Sequence, residues 1–501
     1  MEEILKTKLT KKEICLSIIT TLISFTVLMG VMMLMMLINL VNVELGLKDF
    51  IFHQYKNIIT VVTAVALLMC IVYIYMFFEN RSLLAQCSKI MEIYLLLCIA
   101  LLLCNVVGKF VSSTARPLMF FSLMAAMILK RKDAIFMNIV FAFTIFIFNR
   151  FLNSSDVTLG PDTLPDGAYG SIKMVESFSS LLTCFCCGII GIIVLKRIKT
   201  RMGCVMLALL LLGPVILINL VVQLPTNLGL DEALDIVMYS AFDCVLSVLT
   251  FMFLLPVFEG MFSELTPFRL RELTSDHAKL ISRLKANAPG TYNHCIVVAQ
   301  LAEMCATAIG EDSELARAAA YYHDVGKLKN PEMFAENQSE YDLHKELTPE
   351  LSVDIIRSHT RDGAKLIKKN RLPEIFADVA VQHHGTLPIK YFYAKALKMS
   401  DGELNIANYS YSGPTPTTKI AAIIMIVDAA EAATRSLPDR SPEKVERLVN
   451  NLVEERMNQE QFVDCNITMR ELTIITRTVV NGLTGVYHSR VAYPKLTLKK
   501  R

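Results

Sequence analysis

Eight apolar stretches, near 14–42, 57–78, 92–111, 117–130, 134–150, 177–195, 203–224 and 236–262, each offer a membrane crossing. About 20 apolar residues suffice at a rise of about 1.5 Å per residue. The first half of the chain is therefore expected to be a bundle of about eight transmembrane helices. Only "LKRKDA" separates the fourth and fifth runs, so these read either as two spans or as one broken span. Residues 263–501 carry the mixed charge and punctuation of a soluble domain. A chain of 501 residues that is 53% hydrophobic is too long for one compact domain and too apolar for an ordinary soluble one. The uneven distribution of that apolarity gives two halves, with a membrane domain over 1–262.

Lys and Arg fix the expected orientation, because they accumulate on the cytoplasmic side of membrane helices. Lys6, Lys8, Lys11 and Lys12 precede the first run, Lys130, Arg131 and Lys132 separate the fourth and fifth, and Lys196, Arg197, Lys199 and Arg201 follow the sixth. All fall inside if the N-terminus is inside. The loop 151–176, with Asp156, Asp162 and Asp166, and the turn with Asp231, Glu232 and Asp235 then fall outside. Eight crossings return residues 263–501 to the cytoplasm, which predicts a multi-pass protein of the cell membrane with the lipid bilayer as a partner.

The first run exceeds the 7–15 residue core of a cleavable signal and reads as a retained anchor. Of 13 cysteines, only Cys295, Cys305 and Cys465 lie in the soluble half, so no disulfide framework is indicated. A formal net charge of +3 gives no argument for nucleic acid. Cys184 and Cys187 in "TCFCCG" have metal-ligand spacing, but they sit in an apolar run and read as packing. The methionines of "MGVMMLMM" read as flexible filler. No glycine-rich phosphate loop or internal repeat is present. Asp243 is different: a carboxylate within the last apolar run costs about 2.5–3.5 kcal/mol on insertion scales, so it needs a partner or a task.

Residues 263–290 have apolar positions at helical spacing and predict an amphipathic connector helix, closed by Pro289 and Gly290. Beyond it the chain reads as helices at 292–309, 312–324, 349–370, 373–384, 419–435, 441–457 and 468–483, with no strand pattern. The fold class is all-α in both halves. Of nine histidines, six (His294, His323, His344, His359, His383 and His384) fall between residues 294 and 384. Asp324 adjoins His323, and Asp428 interrupts the apolar "KIAAIIMIVDAAEAATRSL", where an unpaired carboxylate would be costly. Imidazole and carboxylate donors without thiolate favour iron, manganese or zinc in mixed coordination. Seven candidate ligands exceed one metal's needs and suit two metals that share a carboxylate.

This succession of residues resembles the HD superfamily of metal-dependent phosphohydrolases. The blocks "PGTYNHC", "YYHDVGKLKNPEMFAENQ", "SHTRDG", "HHGTLPIKYFY", "GPTPTTKIAAIIMIVDAAEAATRSL", "CNITMREL" and "GVYHSRVAYP" are similar to the cytoplasmic domain of the seven-transmembrane HD phosphodiesterases of the PgpH type. The resemblance implies an HD domain over 291–501 that hydrolyses cyclic di-AMP to linear pApA. It also implies one metal, iron or manganese, on His294, His323, Asp324 and Asp428 and a second on Asp324, His359, His383 and His384. Asp324 bridges them, and Lys327 offsets phosphate charge. A homodimer is an open assembly.

Two features depart from that family. Only a short segment separates the first two spans, where the family has a large extracytoplasmic domain. "YDLHKEL" stands around His344 where the family has an Asn-Pro-His segment, which leaves the role of His344 open. "HHGTLPIKY" lacks the Gly-Tyr-Pro of relatives that cut cyclic di-GMP. The alternatives are an HD phosphohydrolase acting on another nucleotide, such as a guanosine alarmone, and a non-catalytic nucleotide-binding sensor.

Overall fold

The computed structural model describes residues 9–40, 47–152, 168–198, 200–224, 229–338, 341–400 and 402–486. Lys6, Lys8, Lys199, Asp156, Asp162 and Asp166 lie outside the described residues. The chain divides into two compact units, 1–266 and 267–501.

Among the described residues, the first unit has seven helices long and apolar enough to cross a membrane. In chain order its helices begin with α1 (Lys11–Asn39), α2 (Leu47–Glu79), the short α3 (Arg81–Ala85), α4 (Cys87–Phe110), α5 (Met119–Ile128) and α6 (Arg131–Leu152). There follow α7 (Ala168–Leu182), which continues through a π-helical turn at Thr183–Cys187 into α8 (Gly188–Leu195), then α9 (Arg201–Gln223) and α10 (Leu230–Phe262). Cys184 and Cys187 are buried in that π turn, and Asn138 donates to the Cys184 carbonyl at 2.9 Å. The CxxC spacing is thus a packing feature, and among the described residues it belongs to no metal-ligand group.

The expected fourth span, 117–130, is corrected by the structure. Only the ten residues of α5 are helical, about 15 Å of helix and half of a hydrocarbon core about 30 Å thick. Its segment nevertheless traverses the depth of a full span. Ser113, in a 3-10 turn ahead of α5, donates to Glu176 Oε1 at 3.0 Å, and Lys196 donates to the Leu129 carbonyl behind α5 at 2.9 Å. Glu176 lies in the first turn of the long apolar stretch Met174–Leu195, and Lys196 follows its last residue. Among the described residues the unit therefore has seven long apolar helices and one broken crossing.

Asp243 sits at that break. Its Oδ1 accepts from the Leu118 N–H at the start of α5 (3.2 Å) and from the Ser247 hydroxyl one turn along α10 (2.9 Å). The side chain is fully buried. A carboxylate is favoured there because the first N–H groups of a helix lack intrahelical acceptors and the dipole is positive at that end.

Contacts at the helix ends sort the bundle into two faces. At one face Lys132 pairs with Glu79, Tyr75 and Asn80 donate to Asp133 (2.9 and 2.8 Å), and Lys89 pairs with Glu264. At the other, Lys109 donates to the Asn39 carbonyl at 3.1 Å, and Asn39 to the Leu152 carbonyl at 3.5 Å. The basic run 130–132 and Lys196 therefore share one face.

In the second unit, the expected single connector helix over 263–290 is two short ones, α11 (Pro267–Leu273) and α12 (Lys279–Asn287). Thr274 and Ser275 interrupt it by turning their hydroxyls back onto the Leu270 and Glu272 carbonyls, at 3.1 and 2.8 Å. The Tyr322 hydroxyl donates to the Leu273 carbonyl at 2.6 Å, which ties α11 to the second unit. There follow α13 (Pro289–Ile309), α14 (Ser313–Tyr322), α15 (Pro349–Lys369), α16 (Glu374–Gln382), α17 (Lys390–Met399), α18 (Lys419–Ser436), α19 (Pro442–Asn458) and α20 (Met469–Val486). Of these, α17 has no counterpart in the sequence reading. Among the described residues there is no strand, only an isolated bridge between Pro388 and Ser410.

The core is built around α18. Its residues Ile420–Asp428 are all buried, and it packs against α13, α14, α16, α19 and α20. A helix apolar on every side is satisfied only at the centre of a helical layer. Asp428 and Glu431 are the buried acidic exceptions on it, and the ligand-bearing ends of the neighbouring helices converge on Asp428.

Candidate metal centre

Each candidate ligand is held by a helix or its end: His294 on α13, His323 and Asp324 just past α14, His359 on α15, His383 and His384 just past α16, and Asp428 on α18. The backbone permits this convergence at Gly326, in the 3-10 turn Val325–Lys329. A Cβ there would lie 1.9 Å from the His359 carbonyl oxygen and 2.5 Å from the Gly363 nitrogen. Only glycine allows the turn carrying Asp324 to press against α15.

All seven candidate ligands come together, in two groups. His294, His323, Asp324 and Asp428 form one and His359, His383 and His384 the other, with one donor atom from each residue within 4.8 Å of the others in its group. Asp324 faces both. Its Oδ2 lies 3.3 Å from His323 Nε2 and 3.8 Å from His294 Nε2. Its Oδ1 lies 3.3 Å from His359 Nε2 and 3.7 Å from His383 Nε2. Asp428 reaches His294 Nε2 at 2.9 Å through Oδ1, and His384 Nδ1 at 3.7 Å through Oδ2.

The rings are aimed by their other nitrogens. Nδ1 of His323 bonds the Ala320 carbonyl (2.7 Å), that of His359 the Ile356 carbonyl (2.5 Å) and that of His383 the Ala380 carbonyl (3.0 Å). Each partner is three residues back, on the same turn of helix, so Nε2 points to the centre. His294 Nδ1 instead bonds the Glu431 carboxylate at 2.5 Å.

The donors fit a cation. His323 Nε2 and Asp324 Oδ1 are buried without a hydrogen-bond partner, an arrangement that is costly unless a ligand satisfies it. Burial opposes ionisation of Asp324, yet Lys327 and His323 hold its carboxyl well below the usual range. Burial likewise opposes the Asp428 charge, and hydrogen bonds from His294 and His323 overcome it. Burial, reinforced by the charge at His323, pushes His383 down to about 3. His384 and His359 are also lowered, chiefly by burial. The second group is thus three neutral imidazoles with lone pairs to offer. In the first, burial disfavours a charged His294, but Asp428 and Glu431 carry it up to about 10.

Lys327 is not a free surface cation. Its Nζ lies 2.7 Å from Asp324 Oδ2 and 2.8 Å from Glu336 Oε1. The Glu336 backbone packs against Gly290, where a Cβ would lie 1.9 Å from its carbonyl oxygen, and the Thr291 hydroxyl donates to its Oε1 at 2.9 Å. His344 stays outside both groups. Its Nε2 bonds the Met333 carbonyl at 2.8 Å and its ring lies 5.1 Å from that of Phe392, so it secures a loop.

A cavity of about 620 Å³ opens onto the cluster, lined by His294, His359, His384 and Asp428 together with Tyr411 and Arg456. The Tyr411 ring stacks on His384 at 4.2 Å. Sequence reasoning missed Glu431, Glu336, Tyr411 and Arg456. Glu431 alone carried a signal, since it follows Asp428 by three residues and so shares its helix face.

Two family models match the chain: the HD domain over 291–433, and the 7TM receptor with intracellular HD hydrolase over 55–266. The cyclic-di-AMP phosphodiesterase PgpH of Listeria monocytogenes is 45% identical over 241 residues, which is 48% of this chain and 33% of that protein. PgpH of Bacillus subtilis is 42% identical over 247 residues, 49% of this chain and 35% of the relative. The chain thus spans about a third of the length of these curated relatives. A crystal structure of the L. monocytogenes PgpH HD domain in complex with cyclic-di-AMP is 45% identical, covering 43% of this chain and 99% of that one, with a TM-score of 0.41.

Proposed function

The chain belongs to the family of 7TM receptors with an intracellular HD hydrolase, and from that premise we propose that it is a membrane-bound phosphodiesterase that opens cyclic di-AMP to linear pApA. In this reading residues 1–262 form the membrane domain, 263–290 the connector and 291–501 the catalytic domain, on the cytoplasmic side of the cell membrane. The observation that carries the activity is the placement of Asp324, whose two oxygens face two separate sets of histidines.

The N/O donor set suits two divalent cations, iron or manganese. Bound there, they would activate a water and neutralise charge on the phosphate oxygens. The chain's own residues do the rest. Asp324 and Asp428 remain ionised although buried. The histidine Nδ1 bonds fix ring orientation, and such partners keep ligand geometry and basicity in place. Lys327 holds Asp324 Oδ2 and lines the cavity, adding positive charge beside the phosphodiester. Water attacks phosphorus, the P–O3′ bond breaks, and the ribose oxygen leaves with a proton.

The test is hydrolysis by the full-length, metal-loaded protein of cyclic di-AMP, cyclic di-GMP and a guanosine alarmone. Cyclic di-AMP is expected to have the highest kcat/KM. Preference for cyclic di-GMP or the alarmone would overturn the substrate, and hydrolysis of none would overturn the enzyme.

A further inference from the structure

We propose that Arg456 holds the second phosphodiester of the cyclic dinucleotide, the one that is not being cut. The inference rests on the substrate reading above and deepens it.

Arg456 lies on α19 and is 7% exposed. One terminal nitrogen donates to the Leu452 carbonyl, one turn back on its own helix, at 3.0 Å. Its Nε is buried with no hydrogen-bond partner. The side chain lines the cavity over the metal cluster, alongside Asp428 and His384. Burial pulls its pKa below that of an ordinary guanidinium, an effect the charge of Asp428 only opposes. A buried cation without an anionic partner is among the costlier groups a fold can carry, and a bound anion relieves that cost.

The other cations at the cavity are already engaged: Lys327 with Asp324 and Glu336, and Arg435 with Glu431. Arg456 forms no ion pair among the described residues. A cyclic dinucleotide carries two phosphodiesters on opposite sides of its ring. The cluster of Asp324 and the histidines serves one of them. The other enters the same cavity with its full negative charge and needs a counter-charge there. A guanidinium is suited to this, because its planar fork matches two phosphate oxygens and it is weakly hydrated.

The test uses the full-length, metal-loaded protein with two substrates, cyclic di-AMP and bis(p-nitrophenyl) phosphate, which has a single phosphodiester. Arg456→Met is expected to raise KM for cyclic di-AMP about tenfold or more, the scale of one lost charge-assisted hydrogen bond. It should leave kcat/KM for the single diester within about twofold and the metal content unchanged. Arg456→Lys keeps the charge and loses the fork, so it should fall between the two. It carries the test on its own if the methionine variant melts early. Equal losses on both substrates would show that Arg456 supports the metal centre or the fold, and no loss on either would show that it binds nothing; both overturn the inference. A parent protein that cuts the single diester but not cyclic di-AMP overturns the substrate reading and this inference with it.

Discussion

His294 and Glu431 share a hydrogen bond of 2.5 Å between Nδ1 and Oε2, and this makes the two ligand groups unequal. The rings of His323, His359 and His383 are held by neutral backbone carbonyls, whereas His294 is held by a carboxylate that Arg435 in turn grips at 2.5 Å. A charged partner makes imidazole a stronger donor, and removing such partners weakens metal binding by about 10–100-fold. Glu431→Ala is therefore expected to weaken one of two metal equivalents by that factor and spare the other, with Glu431→Gln in between. Metal titration of the apo full-length protein measures it; two unchanged affinities would mean that Glu431 only fills space.

Asp324→Ala removes the carboxylate whose two oxygens lie within 3.3 Å of a histidine Nε2 in each group. Hydrolysis is expected to fall by more than about a hundredfold, since misplacement of reacting groups by about 1 Å alone costs that much. Metal analysis beside the rate assay decides the cause. Turnover within tenfold of the parent at saturating metal would sink the shared-carboxylate arrangement.

His323 and His383 belong to different groups although their ring centroids are 5.0 Å apart. His323→Ala and His383→Ala should each leave one tight metal equivalent instead of two. The site retained should differ, so the two proteins should give distinct spectra when loaded with iron. Two full equivalents in both variants would make these histidines structural.

The candidate ligands stood out in the sequence because imidazole and carboxylate are uncommon at helix ends in an apolar layer, and seven of them recur in one region. The helices that carry them were read close to their observed bounds, and the structure shows the side chains of Thr348 and Thr418 capping α15 and α18. What escaped notice was set by tertiary contact. Arg456 sits in "VEERMN", which reads as a solvated helix face, and only the packing of α19 turns it inward. Tyr411 lies in a polar turn, and nothing local tells that it will stack on His384. The shortness of α5 escaped a hydropathy reading for another reason: Arg116–Leu118 lies within a buried crossing, but Pro117 has no N–H and holds Arg116 extended. Hydropathy reports burial in lipid; it does not report where a helix begins.

Asp243 shows what that break requires. Two donors, the Leu118 N–H and the Ser247 hydroxyl, converge on its Oδ1, while Oδ2 is buried without a hydrogen-bond partner. The donors need an acceptor, and an asparagine can keep an oxygen in that place. Asp243→Leu leaves both unsatisfied in an apolar bundle, a cost of roughly 1–3 kcal/mol, so it is expected to lower the melting temperature of the full-length protein in detergent, followed by circular dichroism because the chain has no tryptophan. Asp243→Asn should melt close to the parent. If Asn is as damaging as Leu, it is the charge at the start of α5, not the acceptor, that holds the crossing together. Hydrolysis separates anchoring from signalling. One span anchors a protein, and among its described residues this unit has seven helices long enough to cross, the last of which leads within a few residues into α11. Asp243→Asn, the variant expected to melt close to the parent, is therefore expected to change the rate on cyclic di-AMP at unchanged metal content, because small shifts of a ligand-bearing helix have large effects on rate. Equal rates for parent and Asp243→Asn in the same lipid would mean that nothing passes from the membrane unit to the metal centre through this carboxylate.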